Sequence, residues 1–220
     1  MTTSLASPPR VESLADFLEQ LGNVPLRRIR VRAPLGAATE QDILDIYERE
    51  KRLYELVDGI LVEKAMGFRE SVLAMALIAF LRGFVRPRNL GLVAGEGGMM
   101  RLAPGLVRIP DVSFISWDHI PGRRMPTEPI PDLYPDLAVE VLSTSNTAAE
   151  MLRKCREYFA AGARLVWLID PVARTVAVYT APERWTVLDE SQTLDGGDVL
   201  PGFILPLRDL FTELDENGNQ

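Results

Sequence analysis

Arg108-Ile109-Pro110-Asp111-Val112-Ser113-Phe114-Ile115 reads as a core strand, and so does Asp136-Leu137-Ala138-Val139-Glu140-Val141-Leu142-Ser143, which runs into a helical segment carrying Lys154. Each apolar run holds one carboxylate, Asp111 in the first and Glu140 in the second. An ionised carboxylate buried without a partner is costly, so such acids pair with cations or bind metal. Two of them, each on its own strand and with a lysine soon after, form a candidate metal-dependent site. The plainer alternative is that both acids sit at strand ends and face water.

The rest of the chain limits the choices. Its 220 residues can build one sizeable core, so a single main domain is expected. A net charge of -7 argues against broad, non-specific attraction to nucleic acid, although it allows a local basic patch. Cys155 is the one cysteine, so no internal disulfide can form and a reducing cytoplasm is the expected setting. No apolar run approaches the roughly 18–20 residues of a membrane span.

Upstream of the two strands, Met1 to Arg10 reads as a loose leader. Ser13 caps a short helix through Leu14, Phe17, Leu18 and Leu21, stopped by Gly22. Pro25 to Leu35, with Arg27, Arg28, Arg30 and Arg32, reads as a solvated, partly extended arm in preference to a phosphate contact. Thr39 and Asp42 open a second helix with Ile43, Leu44, Ile46 and Tyr47 at helical spacing. Leu53 to Glu63 is a hairpin turned at Asp58-Gly59. Arg69 to Phe84 is a long helix apolar on most faces, hence deeply packed, and Pro87 ends it. Gly91 to Leu102 suggests a second hairpin loosened by Gly95, Gly97 and Gly98, which lack the following Gly-Lys-Ser/Thr of a phosphate loop. The proline-rich loop Trp117 to Pro135 contains the only histidine, His119, and a lone loop histidine carries no catalytic assignment.

Downstream, Thr147-Ala148-Ala149-Glu150 matches a capping box, and its helix runs to about Ala161 before Gly162. Arg164 to Pro171 is a nearly all-apolar strand expected at the centre of a sheet. Thr175–Tyr179 and Arg184–Val187 read as an antiparallel pair turned at Pro182. Leu200 to Leu205 reads as a final edge segment, and Leu207–Phe211 as a helical turn. The organisation expected is a leader, short helix and basic arm over 1–38, one domain over 39–212, and a polar tail over 213–220. The mixture of helices, strands and one strand-helix-strand unit predicts an α/β or α+β layered domain.

Hydrolysis of a phosphodiester needs a metal held by carboxylates, an activated water and a cation near the developing charge. Magnesium accepts one or two carboxylates and keeps waters for its substrate. Asp111 and Glu140 could supply those carboxylates. Glu55, which interrupts the apolar run Leu53 to Val62, is a third candidate, or else an outward-facing hairpin residue. Lys154 shares a helical face with Met151 and Tyr158, beside an apolar stripe of Leu152, Cys155 and Phe159. It could reach Glu140, or snorkel at the helix margin.

Tyr54-Glu55-Leu56-Val57-Asp58-Gly59, Arg108-Ile109-Pro110-Asp111-Val112-Ser113, Val139-Glu140-Val141-Leu142-Ser143 and Trp167-Leu168-Ile169-Asp170-Pro171 together resemble the Uma2 family, restriction-endonuclease-like proteins of the PD-(D/E)XK nuclease superfamily. The resemblance spans about Thr39 to Phe211. It implies a restriction-endonuclease-like fold with a central mixed β-sheet flanked by helices. It also implies a magnesium site (manganese being the substitute) on Asp111 and Glu140, with Glu55 contributing as a metal ligand. Two departures from the pattern stand out. The superfamily lysine, two residues after the glutamate, is replaced by Leu142, and the resemblance to Uma2 suggests that its role moves to Lys154. Met66-Gly67-Phe68-Arg69-Glu70 also lacks a histidine that often follows the first hairpin. The function so implied is a magnesium-dependent DNA endonuclease, with Asp111, Glu140 and Lys154 as its catalytic residues; the single cysteine adds a cytoplasmic setting, and the need to present two sites to two strands of duplex DNA adds a homodimer. The alternatives are a nuclease-fold binding or regulatory protein that does not cleave, and a nuclease acting on RNA or single strands.

Overall fold

Helices start where the sequence supplies caps. Ser13 and Asp16 exchange side-chain-to-backbone hydrogen bonds to open α1 (Leu14–Gln20), and at the start of α2 (Glu40–Glu50) the Thr39 backbone N–H and hydroxyl both donate to Asp42 Oδ2, with the short strand β1 (Ile29–Arg30) between the two helices. These assignments come from a computed structural model that describes residues 13–31, 34–64 and 66–215; the leader Met1 to Arg10, Arg32 and most of the polar tail lie outside them. Asp58 and Gly59 take positive φ values of 51° and 73° and join β2 (Tyr54–Val57) to β3 (Ile60–Glu63), the two-residue turn expected of Asp-Gly.

The long helix α3 (Phe68–Val85) precedes β4 (Gly91–Gly95), β5 (Met100–Ala103), β6 (Leu106–Arg108) and β7 (Val112–Ser116). Then come β8 (Leu137–Val141), α4 (Ala148–Ala161) and β9 (Leu165–Asp170), a crossover unit whose two strands pair in parallel. The chain finishes through β10 (Thr175–Ala181), β11 (Arg184–Asp189), β12 (Thr193–Asp195), β13 (Ile204–Pro206) and α5 (Leu207–Phe211).

Among the described residues these strands form a mixed six-stranded sheet in the order β11-β10-β9-β8-β7-β4 and an antiparallel five-stranded sheet in the order β1-β3-β2-β6-β5, with β12 and β13 paired separately. Strand alternation then assigns the layers. Leu137, Val139 and Val141 of β8 face Leu73, Leu77 and Leu81 of α3, together with Leu210 and Phe211 of α5. Ala138 of β8, with Val166 and Leu168 of β9, packs against Met151, Cys155 and Tyr158 of α4. Glu140, two residues from Ala138, therefore projects on the α4 side.

Several expectations are corrected. Gly91 to Leu102 is not a hairpin: β4 pairs with β7 in one sheet and β5 with β6 in the other. Gly91 is the reason on one side, since a Cβ there would lie 2.0 Å from the Ile115 carbonyl oxygen, so only glycine permits this approach to β7. The basic arm is not solvated around Arg28. That guanidinium is buried and forms two 2.9 Å bonds to the Glu150 carboxylate, with further bonds to the Glu63 and Ser145 carbonyls. Phe17, Leu21 and Val24 pack on Val57, Ile60 and Val62, so the N-terminal helix and arm are docked on the hairpin. Glu150 does not complete a capping box because Arg28 holds it; Thr147 alone caps α4. The long helix α3 buries one face, and Met75 on another is 61% exposed.

The Arg28–Glu150 pair should therefore act as an anchor. Arg28→Met leaves a buried carboxylate unpaired and is expected to cost about 3–5 kcal/mol in urea unfolding; a loss under about 1 kcal/mol, typical of an exposed pair, would contradict this. Cys155 is fully buried, and burial, reinforced by the nearby Glu140 charge, pushes its thiol up to about 12. It should stay unreactive toward an aromatic disulfide at neutral pH until denaturant is added, and fast labelling of the folded chain would refute that burial.

Candidate active site

The hairpin brings Glu55 of β2 opposite Val62 of β3, and Lys64 follows on the same face one pleat further on. The backbone N–H of Lys64 donates to the Leu53 carbonyl, extending the ladder past β3. Arg108 ends β6, Asp111 lies just before β7, Glu140 is on β8, and Lys154 and Tyr158 come from α4. All meet between the two sheets under α4. Glu55 is 0%, Asp111 3%, Glu140 3% and Lys154 1% exposed, which removes the alternative that the acids face water.

The contacts form one continuous network. Lys154 Nζ donates to Glu55 Oε1 and Glu140 Oε1, both at 3.0 Å. Tyr158 donates its hydroxyl to Glu140 Oε1 at 2.6 Å. Lys64 Nζ lies 2.7 Å from Asp111 Oδ1 and 2.9 Å from Glu140 Oε2. Arg108 donates to Glu55 Oε2 at 2.7 Å and also holds Glu157. Backbone N–H groups complete it: Ile109 donates to Glu55 Oε1 and Val141 to Asp111 Oδ2. Glu55, Asp111 and Glu140 thus face Lys64, Lys154 and Arg108, and Glu157, which shares Arg108, is met from its other side by Arg153.

The electrostatics follow from that balance. Burial alone would raise the Glu55 carboxyl, but Lys154, Arg108 and Lys64 together hold it well below the usual carboxylate range. Burial likewise opposes Glu140, and Lys154 and Lys64 overcome it, so its pKa is lowered. Asp111 moves the other way: burial, with Glu140 beside it, outweighs Lys64 and raises its pKa. Lys64 loses solvation yet is raised well above the ordinary lysine value by Asp111, Glu140 and Glu55.

Asp111 Oδ1 and Glu140 Oε2 both point at the Lys64 ammonium, while their sister oxygens are engaged by Val141 N–H and by Lys154 with Tyr158. Two convergent, anionic oxygens are the donors that magnesium selects, so the residues fit such an ion at the position the ammonium marks. Glu55 points elsewhere, its oxygens taken by Lys154, Ile109 N–H and Arg108. Among the described residues no group of three or more His, Cys, Asp or Glu side chains is arranged around a single ion position. A cavity of about 410 Å³ beyond the end of β8 is lined by Leu142, Ser143, Thr147, Met151 and Tyr179 among others, and by none of the network residues.

The four residues singled out from sequence, Glu55, Asp111, Glu140 and Lys154, are thus brought together. Lys154 does not sit at the helix margin: the buried stripe of α4 is Met151, Lys154, Cys155 and Tyr158, with the lysine in its middle. The acids it faces make that position polar, which an apolar-stripe reading of the helix cannot detect. Lys64, Arg108 and Tyr158 were missed as site residues. Lys64 had a usable signal, because a two-residue turn at Asp58-Gly59 fixes the register and places Lys64 on the Glu55 face. His119 lies apart, beside Asp136 and Tyr134.

Residues 40–208 match the Uma2 family, described as "Putative restriction endonuclease". A crystal structure of a putative nuclease belonging to DUF820, from Anabaena variabilis ATCC 29413, superposes with a TM-score of 0.68 at 22% sequence identity, covering 79% of this chain and 99% of that one. At that identity the likeness carries the fold: the restriction-endonuclease-like α+β architecture, a mixed sheet flanked by helices, is the one present. No curated protein matches the chain. The family match spans most of the sequence, and the chain belongs to the Uma2 family.

Proposed function

We propose that this protein is a magnesium-dependent nuclease hydrolysing phosphodiester bonds of DNA, with manganese able to substitute. The observation that carries this reading is the convergence of Asp111 Oδ1, from the residue before β7, and Glu140 Oε2, from β8, on one cation position with a second lysine alongside. When bound, the metal supplies an activated water and charge for the phosphate oxygens. The chain's own groups do the positioning. Val141 N–H fixes the orientation of Asp111. Tyr158 and Lys154 hold Glu140 through Oε1, which leaves Oε2 for the cation position. Glu55 steadies Lys154 and Arg108, so its contribution to the metal site is through them and through its charge. Lys154 spends two N–H groups on Glu55 and Glu140, and serves as the cation of the motif.

A second reading, a nuclease-fold binding or regulatory protein that does not cleave, is favoured by the closed, charge-balanced state of the network. Family membership supports DNA as the substrate in the first reading. Among the described residues no helix is long and apolar enough to cross a membrane.

Calorimetric titration should detect magnesium or manganese binding that Asp111→Ala abolishes, and equal binding by both proteins would defeat the site assignment. Lys154→Ala should retain metal binding but lose plasmid cleavage by about 100-fold or more, the scale of removing one charge-stabilising group. Adding Leu142→Lys, which restores the usual motif position on the Glu140 face, should recover part of the rate in a protein shown to be folded. Full activity in Lys154→Ala would end its catalytic role, and cleavage absent from the metal-bound wild type would favour the non-cleaving reading. A homodimer suits cutting of two antiparallel strands; sedimentation at roughly tens of micromolar showing monomer alone would count against it.

A further inference from the structure

We infer that Lys64 is a built-in plug: its ammonium occupies the cation position between Asp111 and Glu140, so a divalent ion binds only when this side chain is displaced. The inference rests on the metal-site reading above and adds to it a residue that controls loading. Three observations carry it. Lys64 is the partner of the two carboxylate oxygens that no backbone N–H, tyrosine or second lysine engages. Its contacts of 2.7 and 2.9 Å leave no room for a second cation between the same two atoms. The network is already balanced, with Glu55, Asp111, Glu140 and the Glu157 that Arg108 also holds set against Lys64, Lys154, Arg108 and the Arg153 that pairs with Glu157, so a dication added without a departure would leave two uncompensated positive charges.

The two lysines are built differently for these tasks. Lys154 rises from the middle of the buried stripe of α4 and bridges Glu55 to Glu140. Lys64 lies just past the end of β3, its backbone held to the Leu53 carbonyl and its long side chain reaching back to the acids. A four-carbon stem rotating about a fixed backbone can withdraw the ammonium without moving a strand. Metal affinity is then lowered by the fraction of molecules in which Lys64 is seated.

The test uses manganese as the probe and the full chain. Calorimetry of wild type and Lys64→Met should show the variant binding manganese about tenfold more tightly or better, as expected where the seated state exceeds about nine-tenths of molecules. In the wild type, amine acetylation mapped by peptide mass spectrometry should find Lys64 protected in chelator and several-fold more labelled at saturating manganese, with Lys154 protected in both. This second measurement decides the matter if Lys64→Met fails to fold. Manganese uptake that depends on Asp111 while Lys64 stays protected, or equal affinity in wild type and a folded Lys64→Met, would overturn the plug and leave the metal site standing. No uptake by either protein at millimolar manganese would overturn the metal site, and the plug with it.

Discussion

Three carboxylates buried in one place are the constraint around which this protein is built. Glu55 of β2, Asp111 at the entry to β7 and Glu140 of β8 have almost no contact with water. In a low-dielectric interior an ionised acid persists only with cations and hydrogen-bond donors at hand. The chain meets that demand with Lys64, Arg108 and Lys154, with Tyr158, and with two backbone N–H groups. Because the donors come from both main sheets and from α4, satisfying the acids also fixes how those layers sit together.

This arrangement makes stability and function hard to separate. Replacing one member of a buried ion network strands its partners, which commonly costs several kcal/mol. A site residue here is also a structural one, so loss of activity in a variant has meaning only beside a folding measurement. The Arg28–Glu150 pair follows the same rule outside the site, tying the N-terminal arm to the first turn of α4. By holding the start of that helix it also holds the helix that delivers Lys154 and Tyr158.

The acids are not all in the same condition. Glu55 and Glu140 are driven toward the charged form by surrounding cations, whereas Asp111 carries a burial cost that Lys64 does not fully offset. The acid least well served by the chain is thus the one whose outer oxygen has Lys64 as its cationic partner. With Lys64 between Asp111 and Glu140, the carboxylates are compensated by the chain's own cations.

Local rules were enough for much of this fold. The Ser13 and Thr39 caps, the Asp58-Gly59 hairpin, the crossover from β8 through α4 to β9 and the central place of β9 follow from short-range hydrogen bonding and side-chain periodicity, and so were legible in the sequence. The acids at 55, 111 and 140 were legible too, as charged interruptions in apolar runs. What the sequence did not determine depends on partners far along the chain. Lys64 meets Glu140 across 76 residues, Lys154 meets Glu55 across 99, and Arg28 meets Glu150 across 122. A lysine on a helix or an arginine in an arm looks solvent-facing until the acid that neutralises it is in place, because its burial is decided by charge compensation and not by its own pattern. For the same reason β4 and β5, adjacent in sequence, part into different sheets: glycine lets β4 close on β7, while β6 recruits β5, and only the packed tertiary structure decides between those pairings.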